Sequence, residues 1–539
     1  MKDLRIPAWL YGLFGLLLVP ALLINLGLMT FIDDEGIRTL VALEMDFSGN
    51  WITPTLHGEY YYKKPPLFNW ILLGWFYLTG KVSEFTARIP TVVALLGYCG
   101  TIYYFLRKHT NSANAFLHAL VVLTCGRILF WDSMLALIDI TFSWVMYGLF
   151  MVTYHAFEKE RWTRLFVLTY ALTAMGFLLK GLPAVVFQGF TLLAYFSYRG
   201  AFRRLFSWQH LLGGLVFVLT VGGYYGVYHQ YNDLNNVFRT LVTESSQRTV
   251  VNYGIWNTVK HVFTFPLEMT YHFLPWSIMV VYLVHRRVLG LLRADRFIAF
   301  NALVFLANIL IYWTSPEVYP RYLLMLAPLL FTVFLHLHAH HRSEQTWQYK
   351  GVSFFLALLM VVMVLVWWAP PFLERTDIVD HRWWKAWSVA VVSTGLGIAY
   401  RKMPNSRLVI LGLALLAFRI GFNFFVLPDR NANDYGDLCR ERSIAVGEAY
   451  QDRPLYVYSF ETEMQMTNSA YLTAERKAII PVVAEPQEPD ALYIIDPLSL
   501  PDLSYQVVDS IFLRHGKRTY YIGQFTKPTN TPDSPSRND

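Results

Sequence analysis

The 539-residue chain lacks most of what holds a small secreted domain together, and most of what keeps a large protein dissolved in water. It has three cysteines, Cys99, Cys125 and Cys439. There is no CxxC pair and no Cys/His spacing of the zinc-finger kind, which excludes a disulfide framework or a zinc module as the basis of the fold. Cys99 and Cys125 lie in apolar runs, where a thiol packs as a small hydrophobe. Only 15% of the residues are charged, fewer than a soluble chain of this length carries. No internal repeat is visible. The net charge is +7, but the basic residues sit in short loops between apolar runs, not in one patch. That distribution follows the positive-inside rule and argues against nucleic acid as a partner.

What the chain has is apolar surface: 55% hydrophobic and 17% aromatic residues. Many runs approach the ~20 residues needed to cross a hydrocarbon core. Thirteen spanning helices are expected, at 7–29, 86–107, 113–131, 134–157, 163–180, 181–198, 209–229, 270–287, 296–314, 320–339, 350–369, 384–400 and 406–427. The start MKDLR is basic, like that of a signal peptide. The apolar run after it is too long for one and has no small-residue cleavage site, so it is read as the first span. Basic clusters follow the second span (Arg107, Lys108), the fourth (Lys159, Arg161, Arg164), the sixth (Arg199, Arg203, Arg204), the eighth (Arg286, Arg287, Arg293, Arg296), the tenth (Arg342, Lys350) and the twelfth (Arg401, Lys402, Arg407). All fall on the side of the N-terminus, which is therefore expected in the cytoplasm. An odd count puts everything after Pro428 outside. The expected organisation is a membrane domain, 1–427, and a soluble domain, 428–539.

Four outward segments are long or polar: 30–85, 230–269, 370–383 and the tail. In the first, Lys64–Gly80 is apolar but too short to span, and Pro65–Pro66 suit a helix start, so it is expected as an interfacial helix. Ile37–Met45 is expected as a second one. In the tail, 454–460, 491–496 and 518–525 read as strands. The region 436–450 and the run ERKAIIPV (475–482) allow helices. A small α/β domain with a disordered end from Thr526 is expected.

Charges at the outer boundary of the membrane are the candidates for chemistry. Asp33, Asp34 and Glu35 follow the first span. They suit a helix N-terminus, or a general base or metal ligand, since partial desolvation makes a carboxylate more basic. Asp139 stands near the outer end of a span, where an acid is costly unless paired or functional. The structural alternative is an ion pair with an arginine such as Arg127 or Arg88. Lys63, Lys64, Arg248 and Arg321 form an outward cationic set. They suit a phosphate or diphosphate, or else snorkel to lipid headgroups. His336, His338, His340 and His341 cluster at a cytoplasmic helix end. They are read as a solvated terminus compensating the helix dipole, not as a metal site.

The stretch DDEG…EM…GNWITPTLHGEYYYKKPPLFNW, followed by ARIP, resembles the first outer loop of the lipid-linked-sugar glycosyltransferases that include the aminoarabinose–lipid A transferases. Protein O-mannosyltransferases are more distant relatives. The family pattern there runs D-E, E-M, G-D-W, P-x-L-N-G, F-E-K-P-P, A-R-L-P. Asp139 matches its L-x-D segment, Arg248 the end of E-x-x-Q-R (Glu244–Arg248), Pro275–Trp276 a P-W pair, and Tyr322 an x-Y-[IL]-L segment. The resemblance implies an all-α polytopic GT-C fold with an outward cavity and a polyprenyl-phosphate sugar donor. It also implies an envelope acceptor such as lipid A or another glycolipid. By the same resemblance Asp34 is the catalytic carboxylate with Asp139 beside it, and Lys64, Arg248 and Tyr322 bind the donor phosphate. Lys63 adds to that set, while Asp33, Glu35 and Arg321 support it. Two departures matter. Lys63 replaces the Glu of F-E-K-P-P, and Ser245 replaces a His that goes with it in a metal site. No metal is therefore expected there, and no cofactor. The arginine after D-E also stands one place later, at Arg38. The expected protein is a monomer among membrane lipids, in a bacterial cytoplasmic membrane with its site facing the periplasm. A lipid or sugar transporter is the rival reading. It would show inverted repeats and broken helices near the midplane, and the sequence suggests neither.

The loop charges make a direct prediction. An impermeant thiol reagent should label a cysteine introduced at Ser534 in intact spheroplasts and spare one at Arg203. The reverse pattern would overturn the orientation.

Overall fold

The computed structural model describes residues 4–32, 34–246, 250–488 and 490–525, with side chains outside 244–253. Asp33, Arg248 and the end from Thr526 lie outside the described residues. The chain divides into two compact units. One comprises 1–28, 62–71 and 83–430, the other 29–61, 72–82 and 431–539. A single boundary at 427/428 is therefore not observed, because much of the first outer loop groups with the tail.

The first unit is helical. Among the described residues, six helices are long and apolar enough to cross a membrane: Glu84–Leu106, Trp162–Lys180, Trp208–Tyr228, Arg296–Trp313, Trp347–Trp368 and Pro404–Ala432. A bent pair, Ser112–Leu123 with Gly126–Met134, makes a seventh if counted as one span. This makes the chain a multi-pass membrane protein. The other expected spans coincide with shorter or less apolar helices. Ala8–Leu23 and Pro183–Tyr198 have 16 residues each. The run 270–287 is not one helix: an α-helix ends at His272, and Trp276–Leu283 winds as a 3-10 helix.

Two breaks have local causes. The bend of 51° after Leu123 falls where the Gly126 amide donates to the Leu274 carbonyl at 2.7 Å. A side chain at Gly126 would meet that oxygen at 2.6 Å. Helix Trp162–Lys180 stops at Gly181, whose φ of 84° favours glycine, and Pro183 opens the next helix. Arg88 of the ARIP motif is buried and donates to the Leu26 carbonyl at 2.7 Å, satisfying backbone near the end of the first helix.

The second unit contains a hairpin, β1 (Thr55–Leu56) and β2 (Glu59–Tyr60), and a five-stranded sheet. The sheet strands are β3 (Leu455–Tyr458), β4 (Val482–Val483), β5 (Leu492–Ile495), β6 (Gln506–Leu513) and β7 (Arg518–Gln524). Their order is β4-β3-β5-β7-β6, with β4, β3 and β5 parallel and β7 antiparallel to both its neighbours. Alternation sends Leu492 and Ile494 into one apolar layer with Leu455 and Val457, and Tyr493 and Ile495 into the other. Helices Gly436–Ala449 and Met466–Arg476 contribute Val446 and Leu472 to the first layer. ERKAIIPV is not a helix of its own: the helix there ends at Arg476, and Lys477 takes a left-handed conformation.

Helix Glu35–Phe47 joins this unit through a buried polar network. Glu44 is fully buried and accepts the amides of His57 at 2.6 Å and Gly58 at 3.1 Å. The His57 ring then reaches the Ile480 carbonyl at 3.0 Å and the Ser469 hydroxyl at 3.1 Å. Burial raises the Glu44 carboxyl above its ordinary value, and the two amides oppose that rise. Replacing Glu44 by alanine strands the amide of buried His57, at roughly 1–3 kcal/mol for a buried unpaired group, while exposed Gly58 can turn to water. Glu44→Ala should therefore destabilise the protein by about 1–3 kcal/mol, and Glu44→Gln, which keeps an acceptor, by clearly less. Thermal unfolding in detergent measures both, and equal losses would show that the network does not hold the loop.

Candidate active site

Three helix ends in the first unit bring charge together. Asp139 lies in the first turn of Ile138–Glu158, where a carboxylate faces a favourable dipole. Lys180 is the last residue of Trp162–Lys180, where a cation does. Arg321 and Tyr322 lie in the 3-10 turn Pro320–Leu323. The Lys180 ammonium pairs with Asp139 Oδ1, and Arg321 Nε stands 3.8 Å from Asp139 Oδ2. All three side chains are about nine-tenths buried, with 9% of Asp139, 11% of Lys180 and 7% of Arg321 exposed. Lys180 Nζ lies 4.2 Å from the centre of the Tyr322 ring, and the Arg321 guanidinium 5.9 Å from it. The group holds one carboxylate against two cations around an aromatic ring. Buried cations held in this way suit an anionic ligand.

The pairing answers the structural alternative for Asp139. Its partners are Lys180 and Arg321, not Arg127 or Arg88. Arg127 instead binds both oxygens of Asp132, at 2.9 and 3.1 Å. Lys180 was not among the residues selected from the sequence. Its signal was a lone lysine between two apolar runs at an outward turn, which also fits a helix C-terminus.

Two more of the expected cations, Lys63 and Lys64, sit where the chain enters helix Leu67–Thr79. Lys63 is exposed, and Lys64 is half-buried ahead of the buried Pro65 and Pro66. Tyr62, just before them, accepts a hydrogen bond from Asn232 at 3.1 Å, and Trp70 packs edge-on against Tyr224 at 5.9 Å. The Lys63–Lys64 segment is thereby tied to the chain that leads towards Arg248, which is itself not described.

In the second unit, Asp34 stands at the N-cap of Glu35–Phe47 with half-buried surface. Glu35 is fully buried, and its Oε2 accepts the Ile32 amide at 2.8 Å, which makes it a bracket for the turn. One helical turn after Asp34 lies Arg38, 3% exposed, whose Nη2 donates to Tyr61 Oη at 2.6 Å. Its Nη1 has no hydrogen-bond partner among the described residues. A buried guanidinium whose Nη1 makes no hydrogen bond, one helical turn after Asp34, is a feature the sequence did not reveal, because Tyr61 gave no sign of being its partner. Asp33 lies outside the described residues.

The Asp139 group yields a charge-balance prediction. Removing Asp139 takes away one half of its ion pairs with the buried Lys180 and Arg321 side chains, and breaking a buried pair costs about 3–5 kcal/mol. Asp139→Asn should destabilise by that order, and adding Lys180→Met should recover part of the loss by restoring the net charge. Thermal unfolding of the single and double variants checks this. A double variant less stable than the single one would contradict it.

Comparison with known proteins bears on this arrangement. The family model described as dolichyl-phosphate-mannose-protein mannosyltransferase matches residues 63–224. Two uncharacterized proteins of Aquifex aeolicus (strain VF5) are similar. One is 28% identical over 42% of this chain and 50% of its own length, the other 25% over 49% and 52%. The chain thus spans about half the length of the curated relatives it matches. Two crystal structures of ArnT from Cupriavidus metallidurans are similar along almost all of the chain. The form bound to undecaprenyl phosphate has a TM-score of 0.69 at 20% identity, covering 97% of this chain and 99% of ArnT. The apo form has a TM-score of 0.68 at 21% identity, covering 96% and 97%. The protein therefore has the fold of ArnT, and its residues 63–224 are similar to the dolichyl-phosphate-mannose-protein mannosyltransferase model.

Proposed function

We propose that this protein is an inverting glycosyltransferase of the bacterial cytoplasmic membrane. It moves a sugar from a polyprenyl-phosphate donor to an envelope acceptor, lipid A or another glycolipid, on the periplasmic face. The observation that carries the reading is the Asp139 group. One acid holds two buried cations beside a half-exposed tyrosine, in a fold whose ArnT example was crystallised with undecaprenyl phosphate. Asp34 takes the proton from the acceptor. The acceptor atom attacks C1 of the sugar, the bond from C1 to the phosphate oxygen breaks, and polyprenyl phosphate leaves with the electron pair. Lys64, Arg248, Tyr322 and Lys63 stabilise the charge that builds on that phosphate, and Lys180 joins them. Asp139 acts through Lys180 and Arg321, fixing where the two positive charges stand. Positioning and fixed charge suffice for a leaving group that already carries negative charge well, so no metal is invoked in the transfer.

A protein or surface polysaccharide is the alternative acceptor within the same chemistry. Mass spectrometry of lipid A, glycans and envelope proteins from a deletion strain separates the acceptors. The transporter reading is weaker, since the bend at Gly126 has a local packing cause.

Asp34→Asn should abolish transfer while expression and unfolding stay normal. Retention of more than about a tenth of the wild-type rate, a barrier change under ~1.4 kcal/mol, would remove Asp34 from the role of base. Transfer should also persist in a chelator, because a cation at Lys63 repels a divalent ion and Ser245 is a poor ligand. Loss of activity on chelation, restored by zinc, would defeat that expectation.

A further inference from the structure

Helix Ala327–Ser343 begins just after the Asp139 group and carries its histidines at its other end. Two of the four are committed to packing. His338 Nδ1 bonds the Tyr282 hydroxyl at 2.8 Å. His341 is fully buried, bonds Thr346 Oγ1 at 2.8 Å through Nδ1, and stacks on Tyr282 at 4.7 Å. His340 is different. Its Nε2 is buried and has no hydrogen-bond partner, and the Nε2 of the neighbouring His341 is in the same condition. Glu344, the residue that closes the helix, places Oε1 3.5 Å from His340 Nε2. His285 arrives from a distant segment, the turn after the 3-10 helix Trp276–Leu283. One ligand-capable atom from each of His285, His340 and Glu344 lies within 4.8 Å of the others.

We propose that His285, His340 and Glu344 form a binding site for a zinc-like divalent cation, pinning the turn after Trp276–Leu283 to the end of Ala327–Ser343. Two imidazoles and one carboxylate are the ligand chemistry of a borderline cation, not of calcium or magnesium, which require oxygen. In a tetrahedral zinc site with bonds of ~2.0–2.1 Å, neighbouring ligand atoms stand about 3.3 Å apart. The 3.5 Å between His340 and Glu344 is close to that edge. A simple histidine–glutamate ion pair would explain those two residues, but not a third ligand atom delivered by His285. Nor would it explain a buried ring nitrogen that makes no hydrogen bond. Three protein ligands leave a fourth position for water, with His341 Nε2 nearby: its ring centre is 5.1 Å from that of His285. His285 Nδ1 also faces the Arg287 amide at 3.3 Å, a long contact that binding through Nε2 would give up. Arg286, Arg287 and Arg342 are the opposing charges close in sequence, and the single carboxylate leaves a bound dication with one net positive charge. The site belongs to the arginine-rich end expected in the cytoplasm. It is unrelated to the Lys63 and Ser245 positions, and it takes no part in transfer.

The test uses the full-length protein in detergent, stripped with chelator and titrated with zinc alone against a chromophoric competitor. One equivalent should bind with a Kd of about 1 µM or tighter and raise the unfolding temperature. Cobalt in its place should show tetrahedral d–d bands. H340A and H285A should each weaken binding at least tenfold, as should E344Q, whose half-exposed side chain keeps folding unperturbed. H336A should bind like the wild type, and all four variants should keep transfer activity. Absence of stoichiometric zinc, or binding that survives E344Q and H340A together, would overturn the proposal. Loss of transfer in E344Q with zinc binding intact would also count against it, by assigning the carboxylate another role.

Discussion

Much of the first unit's arrangement depends on one carboxylate. Two unit charges 4 Å apart interact by about 4 kcal/mol at an effective dielectric of 20, against a desolvation penalty of several kcal/mol per buried ion. Lys180 and Arg321 are nearly as buried as Asp139, so pairing with it offsets part of the cost of burying each. Asp139 faces both of them. The three charges are held rigidly by the N-terminus of one helix, the C-terminus of another and a 3-10 turn. A surface lysine could supply the same charge, but it would move with its solvent. Charge fixed in advance needs no rearrangement when an anion arrives or when charge builds on a leaving group.

The second unit solves a different problem, that of ordering a polar loop that begins with Asp34. Helix Glu35–Phe47 packs against Met466–Arg476 so closely that a side chain at Gly36 would meet the Met466 backbone at 2.9 Å. The Phe31 amide donates to the Tyr471 hydroxyl at 3.2 Å, and Phe31 stacks on the Tyr471 ring at 5.4 Å. The Glu44–His57 network continues the same attachment. The tail thus sets the conformation of the segment that carries Asp34. A domain with no catalytic motif of its own still has a reason to be retained, since removing it would leave that helix without its packing partner.

Periodicity and punctuation made part of this legible. The helices 35–47 and 67–79 and the strands β3, β5 and β7 lie close to where apolar runs, prolines and aromatic alternation put them. The stop at Lys180–Gly181 was marked by the glycine and Pro183. β6 was not legible, because the pattern of QVVDSIFL is interrupted by Asp509, where the pairing with β7 slips. The shape of the runs at 113–131 and 270–287 was not legible either. Hydropathy reports that a segment is apolar, not that it stays α-helical, and the break at Gly126 depends on the Leu274 carbonyl far away in sequence. Lys180 escaped notice because a cation at a helix C-terminus has a sufficient local explanation. Only the fold shows that Asp139 and Arg321 share it.

The same limit on local reading separates the two ends of helix Ala327–Ser343. At its start stand two buried cations, Lys180 and Arg321, which suit an anion. At its end, the Nε2 atoms of His340 and His341 are buried and make no hydrogen bond, and Glu344 Oε1 stands 3.5 Å from the first of them. Orphaned imidazole nitrogen is satisfied by a proton or by a metal. His285 and Glu344 supply the remaining ligands for the metal. One helix therefore connects a site built for negative charge to a site built for a cation. The two are chemically independent because each is closed by residues the other does not use.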